Sequence, residues 1–262
     1  MRYTFKDVLE SMPEERYKED PKILRVYRLL SYVPAWICSN LGVSANAVSV
    51  FSVMVALAGS LLMIFDNNIM RISGVVILNL WMVCDCIDGE VARTTQTNSY
   101  MGEYFDAIGG YAIFAFSPLG ISVAAYHTTS CIREYRYLFI ILGAVSSVSG
   151  LYARLAHQKY IHSVNNTYIR TGDKIISTDS SQSYVNPKKD FSYYRNKIDM
   201  LMGTCGIYFP LLITSCITDR YDFFTIFYAC YFALGSMFIL IVYFRKASVF
   251  NKEIVQKYGK SI

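Results

Sequence analysis

Charge is scarce in this sequence, and the places where it is missing decide most of its physics. Only 17% of the 262 residues are Asp, Glu, Lys or Arg. The stretches Ala47 to Phe65, Tyr137 to Ala153, Met200 to Thr218 and Phe223 to Phe244 contain none. Each is close to the length a helix needs to cross a bilayer, which argues against an ordinary soluble domain. An apolar leader is missing too: the chain from Met1 to Arg25 is highly charged, so no secretory signal is expected. The seven cysteines are an odd number and lie mostly within apolar runs, and Cys84 and Cys86 are not at zinc-finger spacing. They read as small buried hydrophobes in a reducing compartment. No internal or inverted repeat of the transporter kind is visible.

What is present is apolar and helical in length. Ile72 to Cys84 continues as far as Ala92, and Tyr104 to Tyr126 is interrupted only by Asp106. Together with the four uncharged runs these predict an all-α integral membrane protein with six transmembrane helices. An N-terminal amphipathic helix lying in the membrane interface is expected before them. There Asp20 and Pro21 read as N-cap and first-turn proline, and Ile23, Tyr27, Leu30 and Pro34 form an apolar stripe opposite Lys22, Arg25 and Arg28. Ser44 and Asn46 read as caps for the first span. The expected organisation is a cytoplasmic segment and interfacial helix over 1–43, a membrane catalytic domain over 44–246 with a polar cytoplasmic loop at 158–194, and a cytoplasmic tail over 247–262.

The net charge is +5, and its placement matters more than its size. With the N-terminus inside, the outer connections keep only Arg71, Arg133, Arg136 and Arg220, and the remaining bases fall on inner segments. The positive-inside rule then puts both termini and the turn after Arg93 in the cytoplasm, in what is expected to be a bacterial inner membrane. Bases at membrane borders rather than on one polar face do not indicate a nucleic-acid partner.

One stretch breaks the apolar pattern. Asp85, Asp88, Gly89, Ala92 and Arg93 fall at i, i+3, i+4, i+7 and i+8, one face of a helix, and Gly102, Asp106 and Gly110 fall at i, i+4 and i+8 on the next. Ionisable groups within membrane helices are functional by default. Three acids against one arginine leave negative charge that a divalent cation would neutralise, so Asp85, Asp88 and Asp106 are candidate ligands for Mg²⁺ or Mn²⁺. Gly89, Ala92 and Gly102 remove bulk beside them, which would let a nucleotide diphosphate approach, and Arg93 can grip a phosphate. Arg154, Arg195 and Lys197 gather at cytoplasmic helix ends as candidate sites for an anionic acceptor or donor tail, or as snorkelling interface anchors.

The pattern Asp-x2-Asp-Gly-x2-Ala-Arg-x8-Gly-x3-Asp-x3-Asp resembles that of the CDP-alcohol phosphotransferases (CDP-alcohol phosphatidyltransferases). Asp85, Asp88, Gly89, Ala92, Arg93, Gly102 and Asp106 match in identity and spacing. Ser44 to Ser49 is similar to the turn that opens the family's first span, with Asn46 retained and Ser49 in place of a threonine. The resemblance implies a six-span homodimer in the lipid bilayer with its active site open to the cytoplasm. It also implies transfer of a substituted phosphate from a CDP-linked donor (CDP-diacylglycerol or a small CDP-alcohol) to an alcohol, lipid or saccharide hydroxyl, releasing CMP. Asp85, Gly89, Ala92, Arg93 and Gly102 would bind the nucleotide, and Asp106 is the candidate catalytic carboxylate. The pattern's last aspartate, the presumed base, is replaced by Gly110. That leaves three readings: an enzyme in which the acceptor or another residue handles the proton, an inactivating substitution, or a silent member that binds metal and a CDP-linked ligand.

Overall fold

A computed structural model describes residues 2–97, 99–171 and 191–258. Among these there is no strand. Ten α-helices follow one another: α1 (Phe5–Glu10), α2 (Glu14–Glu19), α3 (Lys22–Leu41), α4 (Ala45–Leu62), α5 (Asn68–Thr95), α6 (Tyr100–Thr128), α7 (Tyr137–Thr171), α8 (Phe191–Met202), α9 (Tyr208–Thr218) and α10 (Tyr221–Tyr258). A 3₁₀ turn, Arg133–Tyr135, leads into α7.

Among the described residues, five segments are long and apolar enough to cross a membrane: Ala45–Leu62, Asn68–Thr95, Tyr100–Thr128, Arg133–Thr171 and Tyr221–Tyr258. By length and composition the chain is an integral membrane protein. The run expected as a sixth span, Met200 to Thr218, is not one helix. It breaks between α8 and α9, where Ile207 N–H reaches back to Leu201 O at 2.8 Å and Gly206 N–H to Gly203 O at 3.0 Å. A Cβ added at Gly206 would lie 1.8 Å from Leu201 O, so only glycine permits this reversal. That leaves α9 with 11 residues, about 16 Å of rise and half a hydrocarbon core.

Small residues let the long helices approach closely, as in other membrane bundles. A Cβ at Gly120 of α6 would lie 2.3 Å from Ser60 O of α4, and one at Gly143 of α7 would lie 2.8 Å from Pro118 O of α6. α4 packs against both α5 and α6, which make few contacts with each other and are joined by a short turn. That turn is built by Gln96, left-handed at φ 55°, which ends α5, and by Ser99, whose hydroxyl accepts Gly102 N–H at 3.1 Å to start α6.

α3 differs from its expected amphipathic pattern. Its buried face is Leu24, Tyr27, Arg28, Ser31, Tyr32, Ala35 and Ser39, packed on α5, and its apolar Leu29, Leu30 and Val33 are exposed. Arg28, expected outside, is buried because Asp20 accepts from its Nε at 2.6 Å. Asp20 is thereby diverted from capping, and Pro21 takes the N-cap position. Ser44 does cap α4, accepting Ala47 N–H at 3.2 Å, whereas Asn46 lies inside the first turn of α4.

α7 and α10 outrun their expected ends near His157 and Lys246. They continue to Thr171 and Tyr258, about 52 and 57 Å long, well past a hydrocarbon core. Aromatic pairs Tyr160–Tyr243 and Tyr168–Phe250, with ring centroids 5.1 and 5.6 Å apart, extend the seam, and Val164 and Ile254 are buried in it. Residues 158–171, expected as loop, are therefore helical, as is the tail from 247 to 258. The rest of the expected loop, from 172 to 190, lies outside the described residues.

Candidate active site

α4 supplies the floor on which the two motif helices stand. Asn46, Ser49 and Ser52, three residues apart, lie on one of its faces. The Ser49 hydroxyl donates to Asp88 Oδ2 at 2.6 Å, with Ser49 and Asp88 both buried. Ser52 Oγ would be 3.0 Å from a Cβ on Gly109, and Asn46 Oδ1 would be 3.2 Å from a Cβ on Gly102. Asp88 on α5 and Gly102 and Gly109 on α6 are thus referred to the same short stripe of α4. Gly102 serves this helix contact rather than leaving a cleft beside the turn.

Gly89 likewise makes room for a neighbour in the chain. A Cβ there would lie 3.1 Å from Arg93 Nη1, so the guanidinium folds back over the glycine one turn before it. Arg93 and Ala92 are half-buried at the end of α5.

A cavity of about 550 Å³ opens beside these elements, within the usual range for a small-molecule site. Asp85 of α5 and Asp106 and Gly110 of α6 line it, together with Arg154 and His157 of α7 and Asp199 of α8. Asp85 is within electrostatic range of Asp88, Asp106, Arg28 and Arg154. Asp88, Gly89, Ala92, Arg93 and Gly102 do not line the cavity and stand behind Asp85 and Asp106. Of the candidate anion-binding bases, Arg154 lines it and Lys197, exposed on α8, does not; the side chain of Arg195 lies outside the described residues. Glu103, near the start of α6, is exposed and does not line the cavity.

Arg154 stands where the motif lacks its last carboxylate. Its Nη1 would be 3.8 Å from a Cβ on Gly110, and its guanidinium lies over the Phe114 ring, 3.9 Å from the centroid. A cation on an aromatic face, with the acids of α5 and α6 nearby, gives the cavity charge of both signs.

Two features were missed by sequence reasoning. Asp199 accepts from the Tyr231 hydroxyl at 3.0 Å, and both line the cavity; an acid following a long polar stretch gave no spacing signal. On the other side of α5, Glu90 is fully buried. Its Oε2 is 2.7 Å from the Ser31 hydroxyl and its Oε1 is 3.9 Å from Arg28, which holds Asp20. This network ties α3 to the motif helix. A glutamate between Gly89 and the apolar Val91 was its only trace in the sequence.

Among the described residues no three His, Cys, Asp or Glu side chains converge closely enough to enclose a metal ion. Mg²⁺ does not require such a cage: it is commonly held by one or two carboxylates and completed by substrate phosphates and water. Asp85 and Asp106, hard oxygen donors from two helices on one cavity, fit that mode.

Comparison with curated proteins gives no match. The sequence model of the CDP-alcohol phosphatidyltransferases matches residues 42–178, just over half of the chain, from the start of α4 to beyond α7. That span contains the α4 stripe, both motif helices and the arginine opposite Gly110, and on it the chain belongs to the CDP-alcohol phosphatidyltransferase family.

Proposed function

We propose that this protein transfers a substituted phosphate from a CDP-linked donor, either CDP-diacylglycerol or a small CDP-alcohol, to an acceptor hydroxyl and releases CMP. The family supports phosphate transfer from a CDP-alcohol. The observation that carries the fuller reading is the shared cavity: carboxylates from two different helices open onto one space beside a cationic side chain.

In this reading Asp85 and Asp106 hold Mg²⁺ or Mn²⁺ at the cavity wall, and Asp88, fixed by Ser49, completes the negative field behind them. The bound ion supplies neutralisation of the diphosphate and of the departing CMP oxygen. Asp85 faces the nucleotide from the cavity wall, and Gly89, Ala92, Arg93 and Gly102, which do not line the cavity, shape that end from outside it. There Gly89 sets Arg93 close to the backbone, and the Gly102–Asn46 contact fixes the turn that bears Asp106. Arg154, on the Gly110 side, pairs with an anionic group of the acceptor or donor. The basic residues that follow the motif and α7 favour the cytoplasmic side for this end of the bundle, and the family resemblance favours a homodimer as the active unit.

The test is CMP release by the purified protein in detergent or liposomes, against a panel of CDP-linked donors and hydroxyl acceptors with Mg²⁺ or Mn²⁺. Release with one pair and its loss in Asp106→Asn support the proposal. The second reading, favoured by Gly110, is a silent family member: CDP binding without release of CMP for any pair.

A further inference from the structure

A hydroxyl that attacks phosphorus must give up its proton, and Gly110 offers nothing to take it. The cavity holds four groups able to accept one: Asp85, Asp106, Asp199 and His157. Asp85 and Asp106 are committed to the metal in the reading above, on which this inference rests. Asp199 accepts from Tyr231.

His157 is placed by the packing of α6 on α7. A Cβ at Gly150 would lie 3.2 Å from Phe114, Ser147 donates to Ala115 O at 2.7 Å, and Arg154 stands opposite Gly110. The two helices therefore run antiparallel, and each turn toward the start of α6 meets a turn toward the end of α7. One turn from Gly110 is Asp106; one turn from Arg154 is His157. The imidazole thus comes level with a motif aspartate, on the same cavity. It is also held in place: Nδ1 is hydrogen-bonded to the Tyr243 hydroxyl of α10, which lines the cavity as well, and Tyr160 packs on the Tyr243 ring. In the tautomer whose Nδ1–H donates to the Tyr243 oxygen, the ring's basic lone pair is on Nε2. Imidazole is the side chain that most often serves as a general base, and here it lies on the cavity wall.

We propose that His157, oriented by Tyr243, is the catalytic base that takes the acceptor hydroxyl's proton in place of the carboxylate missing at Gly110. The acceptor oxygen forms its bond to the donor phosphorus bearing the alcohol group, and its proton passes to Nε2. The bond from that phosphorus to the bridging oxygen breaks, its electron pair leaves with CMP, and the imidazolium returns its proton to water.

The experiment measures CMP release by the full-length protein. CDP-diacylglycerol and short-chain CDP-alcohols are tested against glycerol 3-phosphate, serine and diacylglycerol, with CDP binding followed in parallel by calorimetry. For the pair that wild type turns over, His157→Gln is expected to lower release about 100-fold with CDP affinity unchanged. Imidazole in the buffer is expected to restore part of the rate to His157→Ala. Retention of release within about threefold in His157→Gln, or loss of CDP binding together with activity, overturns the proposal. So does loss in Asp199→Asn but not in His157→Gln, which would make the carboxylate the acceptor. Should His157→Gln fail to fold, Tyr243→Phe carries the test: a drop of about tenfold supports the proposal and an unchanged rate overturns it. Wild type that releases no CMP with any pair removes the functional reading itself, and the base with it.

Discussion

The Ser49 hydroxyl and the Asp88 carboxylate meet at 2.6 Å in an interface where they are 2% and 6% exposed. This bond ties the first span to the motif helix and fixes an acid that lies within electrostatic range of the two lining the cavity. It gives the small residue near the start of α4 a physical job: holding a buried carboxylate in one orientation.

Ser49→Ala should therefore destabilise the protein by about 1–3 kcal/mol, the cost of removing a hydroxyl donor from a buried carboxylate. CMP release should fall by about tenfold or more as Asp88 loses its orientation. Thermal unfolding in detergent and the release assay read the two effects separately. Ser49→Thr, which keeps the hydroxyl, should restore most of both.

Gly110 and Gly120 are ten residues apart on α6 and should answer substitution in opposite ways. Gly110→Asp should fold normally, because the nearest group to its Cβ is Arg154 Nη1 at 3.8 Å, an ordinary contact with a cation of opposite charge to the new side chain. Gly120→Ala should cost about 1–3 kcal/mol or more, because its Cβ would lie 2.3 Å from the Ser60 carbonyl and a backbone must move. Melting temperatures of the two variants in one detergent check the contrast.

Arg28 is paired with Asp20 at 2.6 Å and lies 3.9 Å from Glu90, with all three side chains under 8% exposed. Arg28→Met strands two buried acids and should cost about 3–5 kcal/mol. Combining it with Asp20→Asn and Glu90→Gln should recover most of that loss, since the uncompensated charge is then gone. A mutant cycle followed by thermal unfolding measures the recovery.

The candidate site was legible where its chemistry is local. Asp85, Asp88 and Arg93 share a helix face by spacing alone, and Asp106 follows across a turn short enough to count. What could not be read depends on contacts between distant segments. Arg154 was visible as a basic residue at a helix end, but its place opposite Gly110 follows from how α6 and α7 pack. Arg28 looked like an exposed base because hydropathy does not see the Asp20 that neutralises it. The expected sixth span is interrupted by a glycine-dependent reversal inside an apolar run, at Gly206, where mean hydropathy stays high while the helix ends. α7 and α10 extend beyond their expected ends because Tyr160, Tyr168 and Phe250 continue a seam through otherwise polar sequence.

The claim on which the account turns is that acids from α5 and α6 hold a divalent ion together with a cytidine diphosphate. Electron paramagnetic resonance of Mn²⁺ titrated into the protein with CDP present tests it most directly. The account predicts that wild type binds Mn²⁺ far more tightly with CDP than without, and that Asp85→Asn and Asp106→Asn each weaken that binding by tenfold or more in properly folded protein. Mn²⁺ binding that ignores CDP, or that survives both substitutions unchanged, would contradict it.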